Sequence, residues 1–186
     1  MKAQRKFDAL DLRDGEKRLR ALDEDDVEAV HRACQDPEMH RWLTRLPDPY
    51  TLEHAHDYVH EFSRELEKSG AGIALAIEHE GQFAGTIALA ETDWENSQTK
   101  IGYWVVPWRR GHGLAAWASS VLGTWALLDQ GIERVVLRAA TGNLASQRAA
   151  EKAGYIAEGI ERSSVATPGG RGDMKVYSLI RSDLEN

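Results

Sequence analysis

Three stretches in the first half of the chain, 72–80 (GIALAIEHE), 83–91 (FAGTIALAE) and 99–106 (TKIGYWVV), are continuous or alternating apolar runs that predict strands. Glu80 and Gly81 form the short link between the first two, the spacing of a tight hairpin. Upstream, 17–22 (KRLRAL) alternates like a half-buried strand, and Asp23 caps a helix whose apolar positions are Val27, Val30 and Cys34. A second helix is capped near Thr51, carries Ala55, Tyr58, Val59, Phe62 and Leu66 on one face, and ends by Gly70. Downstream, the pattern predicts a long helix over about 113–130, a strand over 134–139 and a helix over 144–152 ended by Gly154. Two closing strands follow, 155–164 and 174–180, joined through the loop 167–172 (TPGGRG). About seven strands and about four helices in this order predict an α+β fold with a mixed, mostly antiparallel sheet and one βαβ-like crossover. A chain of 186 residues suits one substantial core, hence a single domain over 1–186, with 1–16 a flexible or peripheral segment.

The segment 100–116 (KIGYWVVPWRRGHGLAA) carries the clearest chemistry. A strand pattern ends at Pro107, passes Arg109, Arg110, Gly111, His112 and Gly113, and opens directly into the long helix. The first turn of a helix points unpaired N–H groups one way and adds partial positive charge. Glycines there remove the Cβ atoms that would keep a pyrophosphate away. The segment therefore predicts a phosphorylated cofactor. Gly111, Gly113 and Ala116 also fit a dinucleotide fingerprint formally. That fold, however, wants the turn after its first strand and a carboxylate at the end of the next, and 134–141 (RVVLRAAT) ends without one.

A net charge of −7 argues against nucleic acid as a partner and tilts the acceptor toward cations, although it describes no individual cleft. The apolar runs are too short for a bilayer and the first residues lack an apolar leader core, so no membrane association and a cytoplasmic location are expected. Cys34 is the one cysteine, which excludes an intrachain disulfide and a cysteine-based zinc site. His56 and His60 stand one helical turn apart with His54 close by. No third ligand of convincing spacing accompanies them, so a solvated helix face and no metal are the reading. Among the six tryptophans, Trp42 and Trp94 are placed in loops where they would line an acceptor pocket. Trp104, Trp117 and Trp125 read as core, and Trp108 flanks the cofactor or staples the start of the long helix.

Arg110-Gly-His-Gly113-Leu-Ala115 resembles the pyrophosphate motif of the GNAT superfamily of N-acetyltransferases. The IGYWVVP run resembles that superfamily's fourth strand. NLASQRAAEKAGY, 143–155, and the ending RGDMKVYSL are similar to elements of its RimJ/RimL branch, which acetylates ribosomal-protein N-termini. The resemblance covers nearly the whole of 19–184. It implies a GNAT-like sheet splayed between strands 4 and 5, with the arm of acetyl-CoA lying in the splay like an added strand. The backbone of Tyr103, Trp104, Val105 and Val106 would pair with that arm. The amides of Gly111, His112, Gly113, Leu114 and Ala115 would hold the pyrophosphate, each charge-assisted bond contributing roughly 1.5–3 kcal/mol. Arg109 and Arg110 would meet the remaining phosphate charge.

The same resemblance implies direct acetyl transfer to a primary amine. An N–H near Val105 would meet the carbonyl oxygen, Asn143 would bind the arm and Ser146 would donate to the leaving sulfur. Read as residues alone, Asn143 and Ser146 also fit a helix cap and first turn, and Tyr155 fits the core. Related sequences often carry Glu immediately before the Ile-Gly-Tyr-Trp run, where this chain has Lys100. Glu91, Asp93 and Glu95 are the nearest alternative bases, and a water chain is another. An α-amine, with a pKa of about 7.7–8.0, needs less help than a lysine amine near about 10.4, which favours an N-terminal acceptor. Loops 36–52 and 91–99 are expected to wall the acceptor site. Small-molecule acetylation and a non-catalytic acyl-CoA-binding regulator remain open alternatives, and the branch leaves room for a homodimer.

Overall fold

A computed structural model describes residues 5–167 and 169–185. Its eight strands are β1 (Leu12–Asp14), β2 (Lys17–Ala21), β3 (Ile73–His79), β4 (Gln82–Asp93), β5 (Gln98–Val105), β6 (Arg134–Ala140), β7 (Ile156–Thr167) and β8 (Gly170–Ile180). They form one sheet in the order β1-β2-β3-β4-β5-β6-β8-β7. Neighbours run antiparallel except β5 and β6, which are parallel and joined through α5 (Leu114–Asp129). This is the crossover that the alternation of elements predicts. Glu80 and Gly81, at φ 54° and 73°, make the two-residue turn between β3 and β4, as their spacing requires.

The eighth strand, β1, comes from the segment expected to be flexible or peripheral. It is three residues long, too short for a period-two pattern to show, and folds back on β2 through Gly15. The residues before it are docked. Phe7 lies 4.7 Å from the ring of Trp94 and 6.0 Å from that of Trp125, and Arg5 Nη2 donates to the Gln130 carbonyl at 2.7 Å. Trp94 also donates to the Gly70 carbonyl at 2.7 Å, so it anchors this segment and does not line an acceptor pocket. Pro168, inside the predicted 167–172 loop, lies outside the described residues. Around it the strands run further than predicted, since β7 continues to Thr167 and β8 begins at Gly170.

The helices are α1 (Val27–Ala33), α2 (Pro37–Trp42), α3 (Leu52–Asp57), α4 (Ser63–Lys68), α5 and α6 (Leu144–Lys152). A π turn, Tyr58–Phe62, joins α3 to α4, so the Thr51-capped helix is continuous as expected. Thr51 and His54 make a reciprocal cap, with bonds of 3.3 and 3.1 Å. The unexpected helix is α2, although Asp36 followed by Pro37 is a start signal: the Asp36 carboxylate accepts from Glu38 N–H and proline sits at the first helical position.

Both faces of the sheet are covered, which is why β3 reads as continuously apolar. On one face Leu75, Ile77, Ile87, Leu89 and Leu137 pack against Leu114, Leu122 and Leu127 of α5. On the other, Val27, Val30, Met39, Ala55 and Val59 pack with Phe83 and Trp104. Each fully buried large aliphatic side chain contributes roughly 1.5–3 kcal/mol. Cys34 belongs to this second layer, and burial raises its thiol to about 11, which keeps it protonated at neutral pH.

Candidate active site

The strands β5 and β6 pair only from Gln98 opposite Arg134 to Ile101 opposite Leu137. Beyond that point β5 stays with β4, Gly102 opposite Ala88 through Val105 opposite Gly85. β6 stays with β8, Arg138 opposite Val176 through Ala140 opposite Met174. Two facing edges are thus left with backbone groups that no strand satisfies, at the splay the resemblance implies between its fourth and fifth strands. A cleft of about 250 Å³ opens there. Its floor includes Gly102, Tyr103, Ala139, Asn143 and Ser146. One wall is Arg41, Trp42, Leu43 and Thr44 at the end of α2, within the loop 36–52 expected to serve the acceptor. The opposite wall is Val165, Thr167 and Met174 of the β7–β8 hairpin, which sequence reasoning missed, while 91–99 contributes nothing. The signal for α2 was the Asp36–Pro37 start; the hairpin had none, because its contribution follows from strand order.

Where the splayed half of β5 ends, Pro107–Arg109 form a 3-10 turn and Gly113, at φ 70°, begins α5. No side chain caps this 16-residue helix, so the N–H groups of its first turn remain free. Gly111 is at φ 84°, and a Cβ added at either glycine meets no atom within 4 Å. The bend is an open cradle, which fits a pyrophosphate. His112 is exposed, with Nδ1 beside the Arg109 and Arg110 carbonyls at 3.2 and 3.1 Å. Arg110 Nη2 donates to Asp36 Oδ2 at 2.6 Å, binding the cradle to the start of α2. Arg109 is turned toward the β3–β4 hairpin, pairing with Glu80 and donating to Gln82 at 2.8 Å. Trp108 lies under the Arg32 guanidinium at 3.6 Å and so staples α1 to the start of the crossover.

Across the gap, Asn143 caps α6, its Oδ1 accepting from Ser146 N–H at 3.0 Å. The Ser146 hydroxyl lies 3.0 Å from that of Tyr103, which also donates to the Ser146 carbonyl at 3.2 Å. Burial pushes the Tyr103 phenol above its ordinary value, so it stays a neutral donor. Tyr103 on β5 and Ser146 on α6 thus bridge the mouth of the splay. Tyr155 is a core residue, 3 % exposed, its hydroxyl donating to the Ser119 carbonyl at 3.3 Å.

None of the three carboxylates considered as a base, Glu91, Asp93 and Glu95, lines the cleft. Glu91 pairs with Lys100. Asp93 caps its own turn, accepting from Asn96 Nδ2 at 2.7 Å and from the Asn96 and Glu95 N–H groups at 3.0 and 3.1 Å. These bonds, the Asn96 side chain foremost, hold its carboxyl below the usual range. Among the described residues, the charged side chains that line the cleft are Arg41 and Arg138. Arg138 donates twice to Glu161 at 2.9 Å, while its Nη1 is buried without a partner among the described residues.

Residues 18–156 match the family described as an acetyltransferase (GNAT) domain, and the chain belongs to that family. One relative is YdaF of Bacillus subtilis (strain 168), provisionally named a ribosomal N-acetyltransferase. It is 28% identical over 145 residues, which cover 78% of this chain and 79% of YdaF. The fold superimposes on RimL, a ribosomal L7/L12 alpha-N-protein acetyltransferase in complex with coenzyme A, with a TM-score of 0.78 at 23% identity, covering 90% and 95% of the two chains. It also superimposes on spermidine N-acetyltransferase from Vibrio cholerae in complex with CoA and spermine, with a TM-score of 0.77 at 16% identity, covering 93% and 100%. The protein is therefore a GNAT N-acetyltransferase.

Proposed function

We propose that this enzyme acetylates the α-amine of a protein or peptide N-terminus with acetyl-CoA, in the cytoplasm. The observation that carries this reading is the ionic lining of the cleft: among the described residues it holds two arginines, Arg41 paired with Glu38 and Arg138 with Glu161, and no carboxylate. A polyamine or aminoglycoside carries several positive charges, and none of the described residues that line the cleft offers a carboxylate to bind them. A peptide offers one amine, several carbonyl oxygens and side chains that guanidinium groups can bind. The overall charge of −7 pointed the other way, and the local charge decides. The relationship to YdaF and the fold shared with RimL agree with an N-terminal acceptor.

Acetyl-CoA supplies a thioester-activated acetyl group. The free N–H groups of Gly113, Leu114 and Ala115 would hold its diphosphate, with those of Gly111 and His112 beside them, and the unpaired edge from Gly102 to Val106 would hold its arm. Arg110 would move from Asp36 to the phosphates, and Arg109 would shape the hairpin beside them. Ser146, hydrogen-bonded to Tyr103, is placed to protonate the departing thiolate, and Asn143, its Oδ1 engaged by the helix, has its Nδ2 to offer the arm. A strong base is dispensable for an amine with a pKa of about 7.7–8.0, of which a useful fraction is neutral at pH 7. Glu91 and Asp93 accordingly take structural parts, with a water chain removing the proton.

Thiol release with acetyl-CoA tests the reading across N-terminal peptides, the same peptides blocked at the α-amine but bearing lysine, spermine and an aminoglycoside. Turnover is expected with free N-termini and lost when they are blocked. Turnover of spermine above that of the peptides would overturn it. Silence with every acceptor, together with a raised melting temperature in acetyl-CoA, would make the protein a binding regulator.

A further inference from the structure

His56 and His60 lack a third ligand nearby in the sequence, but the fold supplies one from 32 positions before His56. The 3-10 turn Glu24–Asp26 is held firmly: Asp23 Oδ1 accepts from Asp25 N–H at 3.0 Å, Asp26 Oδ2 accepts from Asp23 N–H at 3.0 Å, and Asp26 is buried against Arg20 at 2.7 Å. That turn sets Glu24 against the π turn. Glu24 Oε2 lies 2.6 Å from His60 Nε2, and the rings of His56 and His60 are 4.6 Å apart. One donor atom from each of the three residues lies within 4.8 Å of the others. The His60 side chain is 17% exposed and fixed in place, whereas those of His56 and Glu24 are 54% and 70% exposed and free to adjust.

We propose that Glu24, His56 and His60 form a binding site for a divalent transition-metal cation of the Zn²⁺, Co²⁺ or Ni²⁺ type, with water completing the shell. Two imidazoles and one carboxylate are a borderline donor set that suits these ions; Ca²⁺ and Mg²⁺ ask for oxygen ligands. Bonds of about 2.0–2.1 Å in a tetrahedral shell set ligand atoms about 3.3 Å apart. The Glu24–His60 contact of 2.6 Å is shorter than that value and no other separation exceeds 4.8 Å, so a small rotation of the exposed His56 and Glu24 side chains would close the set. His60 lies in the π turn Tyr58–Phe62, a distortion that recurs at functional sites, and Ser63 Oγ donates to the Val59 carbonyl within it. The three residues do not line the cleft, so the ion would clamp the start of α1 to the α3–α4 helix. This proposal stands whichever acceptor the enzyme uses.

The test uses the full chain without a polyhistidine tag, stripped with chelator and titrated with Zn²⁺ by calorimetry and by thermal melting. One equivalent per chain and a rise in melting temperature are expected, and Co²⁺ should give visible absorption bands on binding. His56→Ala, at an exposed position, should melt like the parent without metal and bind Zn²⁺ at least about tenfold more weakly, in line with the cost of disturbing a metal shell. Glu24→Gln should lose the Co²⁺ bands. A second cluster, Glu16, His79 and Glu80, provides the control, since Glu80 is already engaged by Arg109. His79→Ala should leave the titration unchanged. Absence of binding, parental affinity in His56→Ala, or loss of binding in His79→Ala would each overturn the proposal.

Discussion

At the scale of single residues, the pair Tyr103–Ser146 is where fold and chemistry meet. Both hydroxyls are neutral donors, and their 3.0 Å contact joins the two sides of the splay. Ser146→Ala removes the proposed proton donor while leaving the Asn143 cap, which uses the Ser146 backbone N–H and not its side chain. We expect kcat to fall about 10²-fold, the lower end for a positioned general acid, with acetyl-CoA affinity and melting temperature nearly unchanged. Steady-state kinetics beside a thermal melt check this, and an unchanged kcat would return Ser146 to the helix alone. Tyr103→Phe should lower kcat less, because the serine hydroxyl remains. The residue types at 143, 146 and 155 were legible in the sequence, but their commitments were not. Whether an asparagine caps, binds or does both depends on which atoms face which neighbour, and spacing along a chain does not carry that.

At the scale of elements, the start of α5 shows how local rules reveal a site. Glycine at a left-handed position, no capping side chain and a strand delivered from behind were all visible as letters, and the structure places them at an open cradle. Gly113→Val tests the element. An added Cβ meets no neighbour within 4 Å, so the first cost is backbone strain of about 1–2 kcal/mol at a positive φ, and the two methyl groups beyond it would crowd the cradle. We expect acetyl-CoA to raise the melting temperature of the parent and to lose most of that effect in Gly113→Val, as differential scanning fluorimetry would show. A full ligand shift in the variant would place the phosphates elsewhere. The wall of the cleft was less legible than its floor. α2 has six residues, too few for its periodicity to stand out, and the β7–β8 hairpin becomes a wall because β8 inserts between β6 and β7.

At the scale of the whole molecule, that insertion leaves β7 as an edge strand held across its neighbour by side chains. Arg134 on β6 donates to both oxygens of Glu158 on β7 at 2.7 and 2.5 Å, and Ser178 on β8 adds a bond at 2.8 Å. Arg138 and Glu161 repeat the arrangement one step nearer the cleft. The Arg134 guanidinium, with Ser178 second, lowers the Glu158 carboxyl from 4.5 to about 2. A carboxyl depressed in the folded state stabilises above its unfolded pKa, and the contribution disappears as pH falls through the folded one. The window is therefore about pH 4.5 down to about 2. Because the Glu158 side chain is 39% exposed, solvent screening limits the contribution to about 0.5–1 kcal/mol, or a melting shift of roughly 1–4 °C for a chain of this size. Glu158→Gln should melt lower than the parent by that amount at pH 7, and the two should converge on acidification below about pH 4.5, followed by circular dichroism. The same titration reaches function, since Glu161 is likewise held below its ordinary value by Arg138, which lines the cleft. Acid that releases Glu161 frees Arg138 and adds positive charge to the acceptor wall. A gap that persisted unchanged to pH 3 would show that Glu158 stabilises the edge strand by packing or neutral hydrogen bonds and not by its charge.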